Sequence, residues 1–543
     1  MRNGKDNDRT DLRNKTTDGF TDFKVSGWGY RHSQCLILFC CLTTAYSMRA
    51  CMGVALVAMV DSDLNTQHAL NINNSLTENN INGTLYAVNG INIENTNQTE
   101  SNQKNSGGFL HSLLLVPPYP KLNWNKKTQD TVLSSFFFGY MLLQIPAGQL
   151  AHFFGARYLL SGALFVNCLM SFCLPWATIY GGWILTAIFR TVQGLSQACV
   201  VPGMHTMFGK WTTLEERGRL AGLAYGGQAL GAVLGLPITG FIAASPLGWP
   251  GIFRFYGILS GIVGGAILVL SANSPAEHPK ISAAERQYIE GGIGNNENSK
   301  KKLRVPWGSI LRCRGLYAII LAHIGNTWGQ LTLYSEVPAY MDKVMGVNIK
   351  ANGVLTALPF LAMWFTNFFF SWFTDMLIVK KILSVRSTRK LANSMGSIPA
   401  CIGLIALAYA PRNIYVVEAL LIFICSFKIA TNVGFTINHI DISSNFSGVM
   451  MSLSNFMSNV FALFAPIVAG YILTDVTDVK LWRKVFFVSA GWYFFTNLAY
   501  VIFGIAERAD WDNPPEETYD VEDAKEMEPM IKDENTSNGE KKS

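Results

Sequence analysis

A single arginine within an apolar stretch is the first residue whose placement demands a chemical partner. Arg49 lies 14 residues after Cys35 and 11 before Val60. At about 1.5 Å of helix rise per residue, it stands near the middle of a membrane span, too deep to reach water easily. A guanidinium is always cationic and grips a carboxylate or phosphate through a planar fork. Tyr46, one turn earlier on the same face, offers a hydroxyl or a stacking surface. The residue types point to an anion anchor, with an interhelical ion pair as the competing reading.

Other polar residues interrupt apolar runs selectively. Arg190 and Gln197 are seven apart and share a helix face; His323, Asn326 and Glu336 fall in one later run, and Glu418, Lys428 and Asn432 in another. Arg190 fits a ligand contact or a contact to backbone carbonyls equally well. Lys428 fits a second substrate cation or the partner of an acid. His323 is a core histidine or a proton carrier. Glu336, just before Pro338, is a buried titrating group for cation coupling or a solvated residue near an exit. Glu418 reads as lying near an outer mouth. His205 reads as a packing residue.

These residues need a scaffold that crosses a bilayer. The 543 residues are 49% hydrophobic and only 15% charged, where soluble chains average about 25% charged. Apolar runs occupy 35–60, 129–151, 158–178, 182–208, 220–243 and 252–272, then 315–340, 352–375, 391–410, 414–437, 448–473 and 485–505. Runs of that length predict an all-α polytopic membrane protein with twelve transmembrane helices in two six-helix bundles. The polar residues above fall on the first helices of successive three-helix groups, which line the central cavity of a two-bundle transporter.

The expected organisation is a cytoplasmic tail 1–34, a first bundle 35–272, a cytoplasmic linker 273–314, a second bundle 315–505 and a disordered cytoplasmic tail 506–543. The linker carries Lys280, Arg286, Lys300, Lys301, Lys302, Arg304, Arg312 and Arg314 against four glutamates. Cytoplasmic loops concentrate Lys and Arg, so both termini are expected inside. The asparagine-rich loop 61–128 then lies outside, where acceptor sequons at Asn73, Asn82 and Asn97 are open to glycosylation. The stretch Gly148–Arg157 matches Ser371–Lys380 in small, polar and basic positions, a sign of duplicated halves. Gly227 and Gly231, with Pro237 and Gly240, suit close helix approach and a bend.

The net charge of +6 resides in particular connectors and gives no case for a nucleic-acid partner. The 8 histidines are scattered without metal-ligand spacing, so no enzyme, metal or cofactor is expected. The 10 cysteines avoid the outer loop, which gives no disulfide framework.

Arg49–Val60, Ser135–Gly148, Pro202–His205 with Lys210, Trp211, Glu216 and Arg217, and Asn438–Ile442 occur in order along the chain. Together they resemble the anion/phosphate–cation symporter family of the major facilitator superfamily, which includes sialin, the vesicular glutamate transporters and type I sodium–phosphate cotransporters. The resemblance implies alternating-access transport of inorganic phosphate or organic carboxylates, coupled to sodium or protons. It implies a small anion, a coupling cation and the lipid bilayer as partners, and a monomer. Arg49 and Tyr46 match the family's substrate-binding arginine and sialin's adjacent tyrosine, Arg190 its span-four arginine, and Tyr140 a cavity-lining aromatic.

Gln197 departs from the pattern: it replaces a span-four glutamate that serves proton coupling in sialin. Leu133 and Asn326 replace a histidine and an arginine of the glutamate transporters, against glutamate as substrate. His152 replaces an acidic position that the second half keeps as Asp375. The expectation is therefore a phosphate or organic-anion transporter, in the plasma membrane rather than a lysosomal or vesicular one. A sialin-like lysosomal exporter and a non-transporting receptor are the alternatives.

Overall fold

The computed structural model describes residues 27–60, 119–293, 304–337, 340–341, 344–346, 353–475 and 477–512. The glycosylation candidates Asn73, Asn82 and Asn97 lie outside the described residues.

Continuous apolar sequence with few internal breakers gives long helices. They are α1 (Tyr30–Met59), α2 (Lys126–Phe154), α3 (Ala156–Gln197), α4 (Val200–Trp211), α5 (Arg217–Ala244) and α6 (Gly248–Leu270). After α7 (Ala283–Ile293) and α8 (Trp307–Arg312) come α9 (Arg314–Leu331), α10 (Gly353–Val379), α11 (Val385–Ala408) and α12 (Ile414–Lys428). The last four are α13 (Phe435–Ile442), α14 (Ser447–Ala462), α15 (Phe464–Ile472) and α16 (Val479–Phe503).

Among the described residues, 9 continuous helical segments are long and apolar enough to cross a membrane. One of them is two crossings. A straight 42-residue helix would separate residues eight apart by about 12 Å, yet Thr186 donates to Thr178 at 3.0 Å. The reversal sits at Gly182, whose φ of 61° is open to a residue without Cβ. Large apolar side chains such as Phe138, Phe241, Tyr471 and Phe495 point outward, as lipid-facing surface does.

Three predicted spans are less regular than expected. Span four breaks after Gln197. Span seven passes into a π-turn at Thr332–Glu336, just ahead of Pro338 in the sequence. Span ten stops at Lys428 and continues as a 3-10 turn, Ile429–Val433, before α13. Residues that break a helix at mid-depth need polar partners for the freed backbone, a feature of transporter binding sites.

The halves meet along two reciprocal seams, α5 against α10 and α2 against α14. The matching segments of sequence fall on these seams. A Cβ on Gly148 would lie 2.8 Å from the Val449 backbone, and one on Gly222 would overlap Ser371. The small residue at position one of each segment thus permits the close approach. At position five the halves differ: Asp375 accepts from Gly218 N and Arg219 N at the start of α5, whereas His152 packs on the Phe446 ring.

Candidate functional site

Helix α1 carries Arg49 and is pressed onto α5 by Gly227, Gly231 and Gly235. A Cβ on Gly227 or Gly231 would come within 2.5 Å of a backbone oxygen of α1, and Ser47 Oγ donates to Gly231 O at 2.9 Å. The close approach expected of Gly227 and Gly231 is present; Gly240 has no neighbour there. On the other side, α2 touches the second crossing of α3 through Gly139 and Gly194. A Cβ on Gly139 would lie 2.1 Å from Thr191 O. Two backbone contacts therefore fix where three side-chain sets meet.

What meets there is a cationic, aromatic recess. The half-buried Arg49 guanidinium lies 4.7 Å from the Tyr46 ring centroid, 4.7 Å from Tyr140 and 5.6 Å from Phe136. Its Nε donates to Gln197 Oε1 at 2.8 Å, and its guanidinium also meets the Tyr46 hydroxyl, an arrangement in which the fork faces neutral groups that a ligand could displace. Gln197 is itself aimed by its Nε2 donating to Asn167 Oδ1 at 3.3 Å. Arg190, buried at 4% exposure, covers the Phe136 ring at 4.8 Å and donates from Nη1 to Gln193 at 2.9 Å. Its Nε has no partner.

The other buried arginines behave differently. Arg31 pairs with Glu216 and Glu285 at 2.6 and 3.1 Å. Arg217 and Arg389 share Asp441, each at 2.7 Å. Among the described residues no carboxylate pairs with Arg49 or Arg190 in this way. Cation–π contacts of about 0.5–2 kcal/mol offset only part of a central guanidinium's cost of about 2.5–3.5 kcal/mol or more. An incoming anion would supply the missing charge.

The second half contributes a weaker set at its helix break. Lys428, 6% exposed, donates to Gln330 Oε1 at 3.4 Å, and Thr431 donates to Asn326 Oδ1 at 3.4 Å. Of the two readings for Lys428, an amide contact rather than an acid partner is found. The structure therefore groups Arg49, Tyr46, Tyr140, Arg190 and Gln197, and gathers Asn326 and Lys428 separately. His323, one turn before Asn326 on α9, bonds to Ser454. Glu336 lines a small pocket with Trp328, Thr332 and Ser489 between α9, α15 and α16, away from Arg49. Glu418, expected near a mouth, lies in the second turn of α12 and is buried at 5% exposure, with Oε1 unpartnered.

Sequence reasoning missed several members. Phe136 was hidden in a run of three phenylalanines. Asn167, Asn455 and Gln144 looked like ordinary small polar residues in spans. Asn455 Nδ2 donates to Tyr140 Oη at 2.8 Å and ties the recess to the second half. Gln144, one turn beyond Tyr140, is fully buried with both amide atoms unpartnered. The four-residue spacing of Phe136, Tyr140 and Gln144 was the available signal.

The seams close one end of the molecule. From Tyr140–Asn455 toward the side of Tyr30, Ser452 donates to Ile145 O, Ser447 to His205 O and Asn367 to Gly222 O. The Arg217–Asp441–Arg389 cluster and the Asp375 cap complete this closure. Arg389 also donates to Val433 O at 3.1 Å, joining the closure to the broken span that holds Lys428.

The family model for the Major Facilitator Superfamily matches residues 38–447. A putative inorganic phosphate cotransporter of Drosophila ananassae is 36% identical, over 76% of this chain and 85% of that protein. Sodium-dependent phosphate transport protein 3 of Mus musculus is 30% identical, over 90% of this chain and 97% of its own length. Among solved structures, the proton:xylose symporter XylE aligns with a TM-score of 0.56 at 12% identity, covering 86% of this chain and 94% of that one.

Proposed function

Because the chain belongs to the Major Facilitator Superfamily, within its anion/phosphate–cation symporter family, we propose that its Arg49 recess receives the transported anion. The protein is a multi-pass membrane transporter of small anions, inorganic phosphate or organic carboxylates, and not an enzyme. The observation that carries the site is a contrast between arginines: half-buried Arg49 and buried Arg190 lean on rings and amides, while the buried arginines at the closed end have carboxylates.

The anion docks on the Arg49 fork, with Tyr46 and Tyr140 as walls and Arg190 adding charge from beneath Phe136. Lys428 and Asn326 approach it from the second half. Movement at Lys428 reaches Arg389 and Asp441 through the 3-10 turn, and release of that cluster lets the closed end open. Lys/Arg placement supports a cytoplasmic closed end and cytoplasmic termini, and on that reading the molecule faces outward. Transport is cation-coupled, with His323, Glu336 and Lys428 as coupling groups, and sodium or a proton as the cation. The protein acts as a monomer in the plasma membrane, glycosylated in its outer loop.

Labelled phosphate and organic-anion uptake tests this reading. Arg49→Ala at unchanged surface expression should lose uptake; normal uptake in that variant overturns the anchor.

A further inference from the structure

A second polar string crosses the seam between the halves. His323 Nδ1 lies 3.2 Å from Ser454 Oγ, and Ser454 Oγ lies 2.7 Å from His439 Nε2. His439 Nδ1 is 2.8 Å from Thr436 O. The His439 ring meets His205 edge-on, with centroids 5.4 Å apart. His205 Nε2 bonds to Tyr225 Oη, and its Nδ1 is buried without a partner. His205 and His439 are 0% exposed and His323 is 8% exposed, so the string runs from a slightly open end to a sealed one.

The hydrogen-bond chemistry gives the string a direction. Thr436 O can only accept, so His439 Nδ1 carries hydrogen and the neutral ring's Nε2 accepts from Ser454. Ser454 Oγ can then accept from His323 Nδ1–H. We propose that His323–Ser454–His439 is a proton relay that loads the coupling proton into the His205–His439 contact between the halves. A proton binds His323 Nε2; the Nδ1 proton passes to Ser454 Oγ as the serine proton passes to His439 Nε2. His323 and Ser454 end neutral and His439 becomes an imidazolium, so one charge has moved and no proton is lost.

The surroundings make that charge consequential. On α13, Asp441 is already held by Arg217 and Arg389. On α5 the nearby groups are Tyr225 and, at the helix start, Arg217 and Arg219; on α4, Lys210 lies beyond His205; on α16 there are Tyr493 and Tyr500. Helix α14 has no ionisable side chain, and α9 has Arg314 and Tyr317 near its far end. A cation on buried His439 thus lacks a free counter-charge, and opening the seam to water relieves it. Lys428, on α12, donates to Gln330, two turns along α9 from His323. Its positive charge opposes proton loading until an anion masks it. Anion and proton therefore favour each other's binding, the linkage a symporter needs. This route also dispenses with an acid at the Gln197 position.

The inference rests on the anion-transport reading, and two measurements separate them. In proteoliposomes, labelled inorganic phosphate and organic anions are followed by equal-pH counterflow and by accumulation under an inward proton gradient. Ser454→Ala should lose about tenfold in proton-driven accumulation while counterflow stays within about twofold, and Ser454→Thr should recover. Undiminished proton-driven accumulation in Ser454→Ala, or wild-type accumulation that ignores the proton gradient, overturns the relay. Absence of wild-type counterflow for every anion sinks the transport reading instead. The relay is then judged by hydrogen exchange in nanodiscs at pH 7.5 and 5.5, corrected for intrinsic rates. Segments 200–211 and 435–442 should exchange about fivefold faster at pH 5.5, and His439→Gln should abolish the change. Equal wild-type exchange at the two pH values overturns the relay.

Discussion

The two halves meet the central space with different equipment. The first half offers Arg49 and Arg190 on continuous stretches of helix, clamped by glycine contacts to α5 and α2. The second offers Lys428 and Asn326 at a place where span ten changes from α to 3-10. A charge on a rigid, closely packed helix selects and orients a ligand. A charge at a helix break reports ligand arrival by moving. On the proposed reading, the difference gives binding chiefly to the first half and response chiefly to the second.

Breaking the comparison most severely requires removing the fixed charge. Arg49→Ala should lower anion uptake by about a hundredfold, the loss of two charge-assisted hydrogen bonds; labelled uptake normalised to surface protein measures it. Gly194→Leu should cost about tenfold or more in uptake by forcing α2 off α3 at Phe136, with retained affinity counting against a clamped first half. Lys428→Gln should slow turnover about five- to tenfold and raise KM less than twofold. A change confined to KM would place Lys428 with the binding residues. Gln197→Glu sharpens the contrast more gently. Its ionised carboxylate would occupy Arg49 Nε and weaken anion affinity about threefold at neutral pH, recovering as acid neutralises it. A titration of apparent affinity from pH 7.5 to 5.5 reads this directly.

Charge was the legible part of the site. Arg49, Arg190 and Lys428 announced themselves because hydrocarbon tolerates few ions, and the crossings were readable because lipid imposes length and apolarity. Neutral geometry was not legible. Phe136 matters because two guanidiniums cover it, a relation that no local spacing encodes. The break after Lys428 carries no proline, and Gly434 comes six residues later. His439 and Ser454 acquire a role only when α13 and α14 fold against α9. The pairing of Asn326 with Thr431 and the seclusion of Glu336 likewise depend on packing between distant segments.

The unequal seams carry one more consequence. Where the first half has His152, the backbone ahead of α14 is capped by an acid from far along the chain. Asp512, fully buried, accepts from Ser444 N and Asn445 N at 3.2 Å each and from Arg508 at 2.8 Å, while Arg508 reaches across to Ile293 O. Asp375 is welded into its own helix; Asp512 arrives on a short terminal strap. Asp512→Asn should weaken the closed end by about 1 kcal/mol, detectable as faster labelling of a cysteine placed at Ser444. A fastening delivered by the short segment after α16 can be undone without disturbing any membrane helix. Loosening the Arg508–Asp512 segment therefore gives leverage over when the closed end swings apart.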